Sequence, residues 1–134
     1  MGGEYAAMSD LPLVLIVDDN DRNRKLARDV LIAALFRILE AATAAEAVSL
    51  ASEHLPDLVL MDLHLPDADG MTAVRALKAE ARTSQIPVVA LTATRLDADE
   101  GWLLDAGFAG YIAKPIDVDA LPELVRRLSR RRQG

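Results

Sequence analysis

The chain contains no cysteine among its 134 residues, which excludes disulfides, thiolate metal sites and cysteine nucleophiles. Basic residues are also few: 15 lysines and arginines stand against 21 acidic residues. The resulting net charge of −6 disfavours binding to nucleic acid, which attracts a basic surface. No apolar run approaches the ~20 residues that a membrane-spanning helix needs. We therefore expect a cytoplasmic protein that has no membrane contact and does not bind nucleic acid directly.

The composition that is present, 51% hydrophobic and 27% charged, is typical of a folded globular domain. The length favours one domain with a sizeable core. Residues 1–10 carry no apolar segment, so we interpret them as a flexible leader and not as a signal peptide. We expect the folded domain to span residues 11–130 and a basic tail to occupy residues 131–134.

Short apolar runs alternate with segments of helical period, which is the βαβ pattern of a parallel sheet covered by helices on both faces. The predicted strands are Leu13–Val17, Phe36–Glu40, Asp57–Met61, a fourth opened by Pro87, and Ala109–Ala113. The predicted helices begin at Asn20 or Asp21, after Thr43, at Met71, at Asp97 and at Asp117; the last three end near Ala81, Ala106 and Arg130. The sequence therefore predicts an α/β domain with a doubly wound, five-stranded parallel sheet and five helices.

Two of these helices have an apolar stripe that should face the sheet. In the first helix the predicted stripe is Leu26, Val30, Ile32 and Ala33. In the last helix it is Val118, Leu121, Leu124, Val125 and Leu128. Pro122 lies in the first turn of the last helix, where proline is tolerated.

Polar side chains follow four of the apolar runs. Asp18 and Asp19 follow the first strand, Asp62 the third, Thr92 the fourth and Lys114 the fifth. In an open α/β sheet, ligands bind outside the carboxyl ends of the strands, so these side chains should meet at one edge. Clustered carboxylates repel one another, and a hard divalent cation with oxygen ligands relieves that repulsion. The pattern therefore predicts a Mg²⁺ site.

The same cluster suits phosphoryl transfer. A carboxylate at a strand end can attack phosphorus and become an aspartyl phosphate, which makes Asp62 the candidate nucleophile. Lys114 offers a positive charge to one phosphoryl oxygen, and the Thr92 hydroxyl can donate a hydrogen bond to another. The alternative is that these aspartates only cap helices, which does not explain why Thr92 and Lys114 occur in register with them.

With these motifs in place, the sequence resembles a known family, the receiver domains of two-component response regulators, with the CheY-like fold. The resemblance covers about residues 13–128 and is closest to single-domain receivers of the DivK type. It rests on five motifs in order: Asp18-Asp19, Met61-Asp62, Leu65-Pro66 with Gly70, Leu91-Thr92-Ala93 and Lys114-Pro115.

The resemblance implies a sheet order of 2-1-3-4-5 and assigns roles to the residues of the motifs. It implies Asp62 as phosphoacceptor, Thr92 as the switch hydroxyl and Lys114 as the amine that binds the phosphoryl group. The implied Mg²⁺ ligands are Asp19, Asp62, the main-chain carbonyl of His64, and Asp18 through a water molecule. Tyr111 would be the aromatic switch, and the Lys114–Pro115 peptide bond would be cis.

The resemblance also implies partners. The phosphodonor would be a histidine kinase or a histidine phosphotransfer protein, docked on helices near the active site, chiefly the first. The output would be a changed surface around the fourth helix, fifth strand and fifth helix, which binds a downstream protein. Phosphorylation-dependent homodimerisation stays open.

The sequence departs from the family pattern at four positions. Leu35 and Ala45 stand near places where glycine is usual, after the first helix and in the second. His64, two residues after the phosphoacceptor, is less common there, and Thr94, two after the switch threonine, is small and neutral. In the family the last two positions modulate how long the phosphoryl group survives, so the lifetime in this chain is open.

Several residues keep two interpretations. His64 either contributes only its backbone or controls the access of water to the phosphoryl group. Tyr111 is either the switch or a core aromatic residue, and Trp102 either belongs to a partner surface or simply packs. The C-terminal arginines either offset the helix dipole in solvent or contact an acidic partner; they are Arg126, Arg127, Arg130, Arg131 and Arg132.

Three other functions compete with a stand-alone phosphoacceptor. The chain could be a receiver fragment of a hybrid histidine kinase, which has the same chemistry. A pseudo-receiver would bind partners without phosphorylation, but the complete constellation argues against it. A phosphohydrolase acting through an aspartyl phosphate would usually have a second acid at the place of His64. We therefore expect a signalling protein that catalyses only its own phosphorylation and dephosphorylation.

Overall fold

The computed structural model describes residues 10–92 and 101–129 of the chain. The described elements are β1 (Leu13–Val17), α1 (Asp21–Ala33), β2 (Arg37–Ala41), α2 (Ala44–His54), β3 (Leu58–Asp62), α3 (Gly70–Ala79), β4 (Val88–Thr92), α4 (Gly101–Ala106), β5 (Gly110–Ala113) and α5 (Leu121–Leu128). No helix in these two ranges is long and apolar enough to cross a membrane.

The five strands form one parallel sheet in the order β2-β1-β3-β4-β5. All residues of β1, β3 and β4 are buried, as expected for central strands that are covered on both faces. The doubly wound fold and its strand order are therefore confirmed.

Helices cover both faces of the sheet and create two core layers. Leu15 and Val17 of β1 face the layer that also contains buried residues of α2, α3 and α4. Val14 and Ile16 of the same strand face the layer that contains buried residues of α1 and α5. This alternation along β1 follows from the two-residue period of a strand, and it explains why the run is apolar at every position.

The predicted stripe of α1 is only partly right, because Val30 packs against the core layer that contains α1 and α5 while the other three predicted residues are exposed. The buried residues of α1 are Ala27 and Leu31, which are four residues apart. Leu26 and Ile32 are 41% and 52% exposed, and Ala33 is exposed as well. Apolar side chains lie on both sides of the buried row of Ala27 and Leu31. The spacing of apolar residues in the sequence therefore does not identify which row faces the core.

The predicted start of α5 is also wrong. The helix begins at Leu121 and not at Asp117, because Pro122 has no N–H that could bond to the carbonyl of Val118. Val118 precedes the helix and is 38% exposed, so it does not belong to the buried stripe, whereas Leu121 and Val125 do. The Asp117 carboxylate instead accepts hydrogen bonds from the Asp119 and Ala120 amides.

The remaining boundaries differ by one or two residues. β2 and β3 each begin one residue later than predicted, and β3 includes Asp62. The carboxylate of Asp57, just before β3, accepts a 2.8 Å hydrogen bond from the Leu13 amide at the start of β1. The predicted first turn of the fourth helix, at 97–100, lies outside the described residues, as does Thr94.

Helix ends follow local chemistry. Asn20 caps α1 and Thr43 caps α2; their side chains accept hydrogen bonds from the amides of Asn23 and Glu46. Gly107 follows α4 with φ of +112°, a conformation that favours glycine. Leu35, after α1, has φ of +73°, so a leucine occupies a left-handed position near the place where the resemblance implies glycine.

Candidate active site

The carboxyl ends of β1, β3, β4 and β5 lie side by side at one edge of the sheet. Val17 pairs with Met61, Asp62 with Leu91, and Thr92 with Ala113. This register gathers the polar residues that end or follow the strands, as the sequence predicts; they are Asp18, Asp19, Asp62, Thr92 and Lys114.

Asp62 is buried at the end of β3, and both of its carboxylate oxygens accept hydrogen bonds. Oδ1 accepts from the His64 amide at 3.0 Å, and Oδ2 accepts from Lys114 Nζ at 3.3 Å. The loop after β3 turns back to α3 so closely that a Cβ atom on Gly70 would lie 2.7 Å from the Asp62 main-chain oxygen. Glycine at 70 thus permits the approach of α3 to the end of β3.

Lys114 connects two carboxylates. Its Nζ lies 3.0 Å from Asp18 Oδ2 in addition to its contact with Asp62. The Lys114 amide donates a 2.8 Å hydrogen bond to the Thr92 carbonyl, which fixes the backbone of Lys114 at the end of β4. The following Lys114–Pro115 peptide bond is cis.

The charges at this site shift two pKa values. Burial raises the pKa of the Asp62 carboxyl, and the Asp18 carboxylate acts in the same direction. The His64 amide and the Lys114 ammonium oppose this shift but do not cancel it. Burial acts to lower the pKa of Lys114, yet Asp18 and Asp62 together outweigh it and hold that pKa above its usual value.

The acidic cluster fits a divalent cation. Asp18, Asp19 and Asp62 each offer one carboxylate oxygen, and these oxygens lie within 4.8 Å of one another. In the described part of the chain, Asp18 Oδ2 is the one buried side-chain oxygen or nitrogen that takes part in no hydrogen bond; it has only its ionic contact with Lys114. An oxygen-only donor set that carries excess negative charge is the kind that Mg²⁺ prefers.

The other predicted residues surround this cluster at different depths. Thr92 is buried, one residue beyond the strand partner of Asp62. Tyr111 is half-buried on β5 and packs against the core layer that contains α2, α3 and α4. His64 has an exposed side chain and forms a β-bridge with Asp69. Trp102, on α4 and outside the acidic cluster, is 41% exposed.

Sequence reasoning missed two residues whose contacts join segments next to the site. Arg24 in α1 donates a 2.7 Å hydrogen bond to the Asp18 carbonyl. Asp67, in the loop after β3, accepts hydrogen bonds from the Ala44 and Ala45 amides at the start of α2, at 2.8 and 3.0 Å. No local motif signals these contacts, because each partner is remote in sequence or is a main-chain group.

Comparison with known sequences gives a consistent result. Residues 14–126 match the model of the family described as response regulator receiver domain. The polar-differentiation response regulators DivK of Brucella ovis and Brucella anthropi are each 39% identical over 113 residues, which is 84% of this chain and 92% of each relative.

Solved structures agree with the fold. The chemotaxis response regulator CheY4 of Vibrio cholerae superposes with a TM-score of 0.83 at 24% identity, over 88% of this chain and 98% of that one. The receiver domain of sensor histidine kinase PA1611 from Pseudomonas aeruginosa gives a TM-score of 0.80 at 32% identity, over 88% and 97% of the two chains. That structure has a magnesium ion coordinated in its active site cleft.

Proposed function

The chain belongs to the response regulator receiver domain family, and from this premise we propose that Asp62 is the residue that accepts the phosphoryl group. Members of this family take phosphate from histidine kinases and act on downstream targets. The observation that carries the proposal is the shared contact of Lys114 Nζ with Asp18 Oδ2 and Asp62 Oδ2, at 3.0 and 3.3 Å. It puts a fixed positive charge beside the proposed nucleophile, where phosphoryl oxygens would need it.

Mg²⁺ is the proposed cofactor. Asp19, Asp62 and the main-chain carbonyl of His64 would hold it directly, and Asp18 would hold it through a water molecule. When bound, the ion neutralises negative charge on the carboxylates and on the phosphoryl oxygens. The close approach of the three carboxylates and the elevated pKa of Asp62 support this assignment, because the positive groups of the protein do not cancel the effects of burial and of Asp18 on Asp62.

The proposed step is a transfer between two covalent bonds. A carboxylate oxygen of Asp62 attacks phosphorus in line with the donor, the P–N bond of a phosphohistidine breaks, and the imidazole leaves with the bonding electron pair and is then protonated. Lys114 holds its charge at one equatorial oxygen, and the Thr92 hydroxyl donates to another. Water later cleaves the aspartyl phosphate, which restores the carboxylate and releases phosphate.

The proposed output is a change in the surface of α4, β5 and α5. Thr92 would move toward the phosphoryl group and Tyr111 would follow, which shifts an existing equilibrium between two states. A groove between β5 and α5, lined in part by Tyr111, Pro115 and Leu124, adjoins this surface.

Tryptophan fluorescence tests this switch, because Trp102 is the single tryptophan of the chain. Phosphorylation should change the fluorescence emission of Trp102, and Thr92→Ala should abolish that change. Equal changes in the wild type and in Thr92→Ala would refute the switch.

His64 is the proposed determinant of phosphoryl lifetime. Its amide donates a hydrogen bond to Asp62 Oδ1, and its side chain is exposed. We propose that this side chain controls the access of water to the phosphoryl group. We expect His64→Ala to change the dephosphorylation rate at an unchanged phosphorylation rate. Identical lifetimes in the two proteins would reduce the role of His64 to its backbone.

The direct test is phosphorylation by acetyl phosphate with Mg²⁺, followed by intact mass. The wild-type chain should gain one phosphate, Asp62→Asn none, and the control Asp29→Asn should match the wild type because Asp29 is an exposed residue of α1 that pairs with Lys25. Equal gain in Asp62→Asn, or no gain in the wild type, would contradict the proposal.

A receiver cut from a hybrid kinase remains a second candidate, because the 32% identical PA1611 receiver belongs to a sensor histidine kinase. Its site chemistry would be the same. A domain at residues 11–130 and a cytoplasmic location are further parts of the proposal.

A further inference from the structure

Arg24, in the first turns of α1, connects three segments of the chain. Its Nη1 donates to the Asp18 carbonyl at 2.7 Å, its Nε to Glu40 Oε1 of β2 at 3.0 Å, and its Nη2 to Asp21 Oδ1 at 2.7 Å. The side chain is only 19% exposed. A planar guanidinium with partners on three sides has little freedom to rotate, so the acceptors are held at fixed relative positions.

The hydrogen bond from Arg24 to the Asp18 carbonyl also constrains the next residue, Asp19. The peptide unit is planar, so fixing the Asp18 oxygen also fixes the amide of Asp19 and the direction in which Asp19 leaves β1. On its other side the Asp18 amide donates to the Ala41 carbonyl at 3.1 Å. The Asp18 backbone is therefore held from both directions, by β2 and by Arg24.

Asp19 depends on this backbone constraint more than Asp18 does. Asp18 is buried, and its carboxylate is held by the Asn20 amide at 2.9 Å and by Lys114. Asp19 is exposed, and no hydrogen bond or ion pair of its carboxylate is found within residues 10–92 and 101–129. Its carboxylate reaches the cluster only because its main chain points it there.

We propose that Arg24 is a positioning residue for the Mg²⁺ site: by holding the Asp18–Asp19 peptide unit, it keeps Asp19 within reach of Asp18 and Asp62. This inference rests on the proposed function, since it assumes that the three carboxylates bind the ion. Arg24 would touch neither the ion nor the phosphoryl group, and would act only through the Asp18 carbonyl.

Electrostatics and positioning predict opposite effects, which makes the role measurable. A positive guanidinium near a cation site repels the ion, so removing that charge alone should tighten Mg²⁺ binding. Removing a group that orients the ligands should weaken binding, typically about tenfold or more. The sign of the change thus separates a positioning role from a mere charge.

Arg28 provides a matched control. It is one helical turn further along α1 and pairs with the other oxygen of Glu40 at 3.1 Å. It also contacts Asp29, but it has no contact with Asp18. Arg28→Met therefore removes a similar charge and a similar bond to β2 while it leaves the Asp18 carbonyl bound.

The experiment is Mg²⁺ titration by calorimetry of the wild type, Arg24→Met and Arg28→Met, with thermal unfolding in EDTA measured alongside. We expect the Kd of Arg24→Met to rise about tenfold, while Arg28→Met binds as tightly as the wild type or slightly more tightly. An unchanged or lower Kd for Arg24→Met would overturn the inference. So would an equal loss of affinity in both variants.

A second variant tests whether the three hydrogen bonds of the planar guanidinium are needed, and it also serves if Arg24→Met does not fold. Arg24→Lys keeps the charge, but one ammonium cannot reach all three acceptors, so its Kd should also rise. Wild-type affinity in Arg24→Lys would overturn the inference. A wild-type chain that binds Mg²⁺ and is phosphorylated, with both Arg24 variants unaffected, would refute only the inference; a wild type that does neither would refute the proposed function itself.

Discussion

A Cβ atom on Gly70 would lie 2.7 Å from the main-chain oxygen of Asp62, which is closer than a carbon and an oxygen can approach without a shift. The nearest atoms are backbone atoms, so no side chain can simply move away. The start of α3 and the end of β3 are therefore packed at a separation that only glycine permits. The same contact fixes the short loop that contains His64.

This contact makes Gly70→Ala the first prediction. The variant should lose about 2 kcal/mol of stability, because α3 or the end of β3 must move. It should also be phosphorylated more slowly, since the displaced backbone carries Asp62. Denaturant unfolding and the rate with acetyl phosphate measure these effects. Gly110→Ala is the control, because its Cβ would be 3.6 Å from Leu128 Cδ1, an ordinary contact; equal stability of both variants would contradict the prediction.

The second prediction concerns the metal-free stability. Because the pKa of Asp62 is raised on folding, the folded state binds more protons than the unfolded state between the usual carboxyl pKa and the raised one. Stability should therefore fall as pH rises through that window, and the whole penalty should be present at neutral pH. Asp62→Asn should be more stable than the wild type in EDTA at pH 7, and the difference should shrink at acid pH.

Urea unfolding of both proteins as a function of pH measures this difference. Addition of Mg²⁺ should stabilise the wild type more than Asp62→Asn, because a ligand stabilises only the state that binds it. A wild type that is more stable than Asp62→Asn in EDTA at neutral pH would refute the pKa argument.

The third prediction is that Leu35→Gly stabilises the chain. A non-glycine residue in the left-handed region costs roughly 1–2 kcal/mol, and the Leu35 side chain is 67% exposed, so little packing is lost. The larger entropy of glycine in the unfolded state offsets part of this gain, which leaves about 0.5–1 kcal/mol. Ala45→Gly, at the other usual glycine position, lies in α2 and should destabilise by up to about 1 kcal/mol. Thermal unfolding decides: a destabilised Leu35→Gly would contradict the account.

The fourth prediction concerns Asp67, which bonds to the first amides of α2 from the loop after β3. Hydrogen bonds from Ala44 and Ala45 hold the pKa of its carboxyl below the usual value. These bonds should persist above that pKa and be lost as pH falls through it. Asp67→Ala should accelerate hydrogen exchange at Ala44 and Ala45. Thr43→Ala should instead affect the amide of Glu46, which its hydroxyl caps; unchanged exchange in Asp67→Ala would refute the link.

The central strands could be predicted from sequence because they are apolar at every position. β1, β3 and β4 are buried on both faces, so their runs end where polar site residues begin. β2 is an edge strand with half-buried residues, yet its start was missed by one residue, which is no more than for the central strand β3. The buried face of α1 was harder to predict, because Leu26 and Ile32 are exposed and only Ala27 and Leu31 are fully buried.

The acidic cluster could be predicted for the same topological reason, since parallel strands deliver their carboxyl ends to one edge. The contacts between the segments around the cluster could not be predicted in this way. Arg24 reaches Glu40 across 16 residues of sequence, and Asp67 reaches Ala44 across 23. Such contacts depend on the packing of α1, β2 and the loop after β3, which no local period or spacing encodes.

The measurement that tests the central claim most directly is chemical mapping of the phosphorylated residue. Borohydride reduces an aspartyl phosphate to homoserine, so the wild-type chain, treated with acetyl phosphate and Mg²⁺ and then reduced, should contain homoserine at position 62 alone. Peptide mass spectrometry locates the change, and omission of Mg²⁺ should abolish it. Homoserine at Asp18, Asp19 or any other position, or an unmodified Asp62 in a chain that has gained phosphate, would contradict the assignment of Asp62 as the phosphoacceptor.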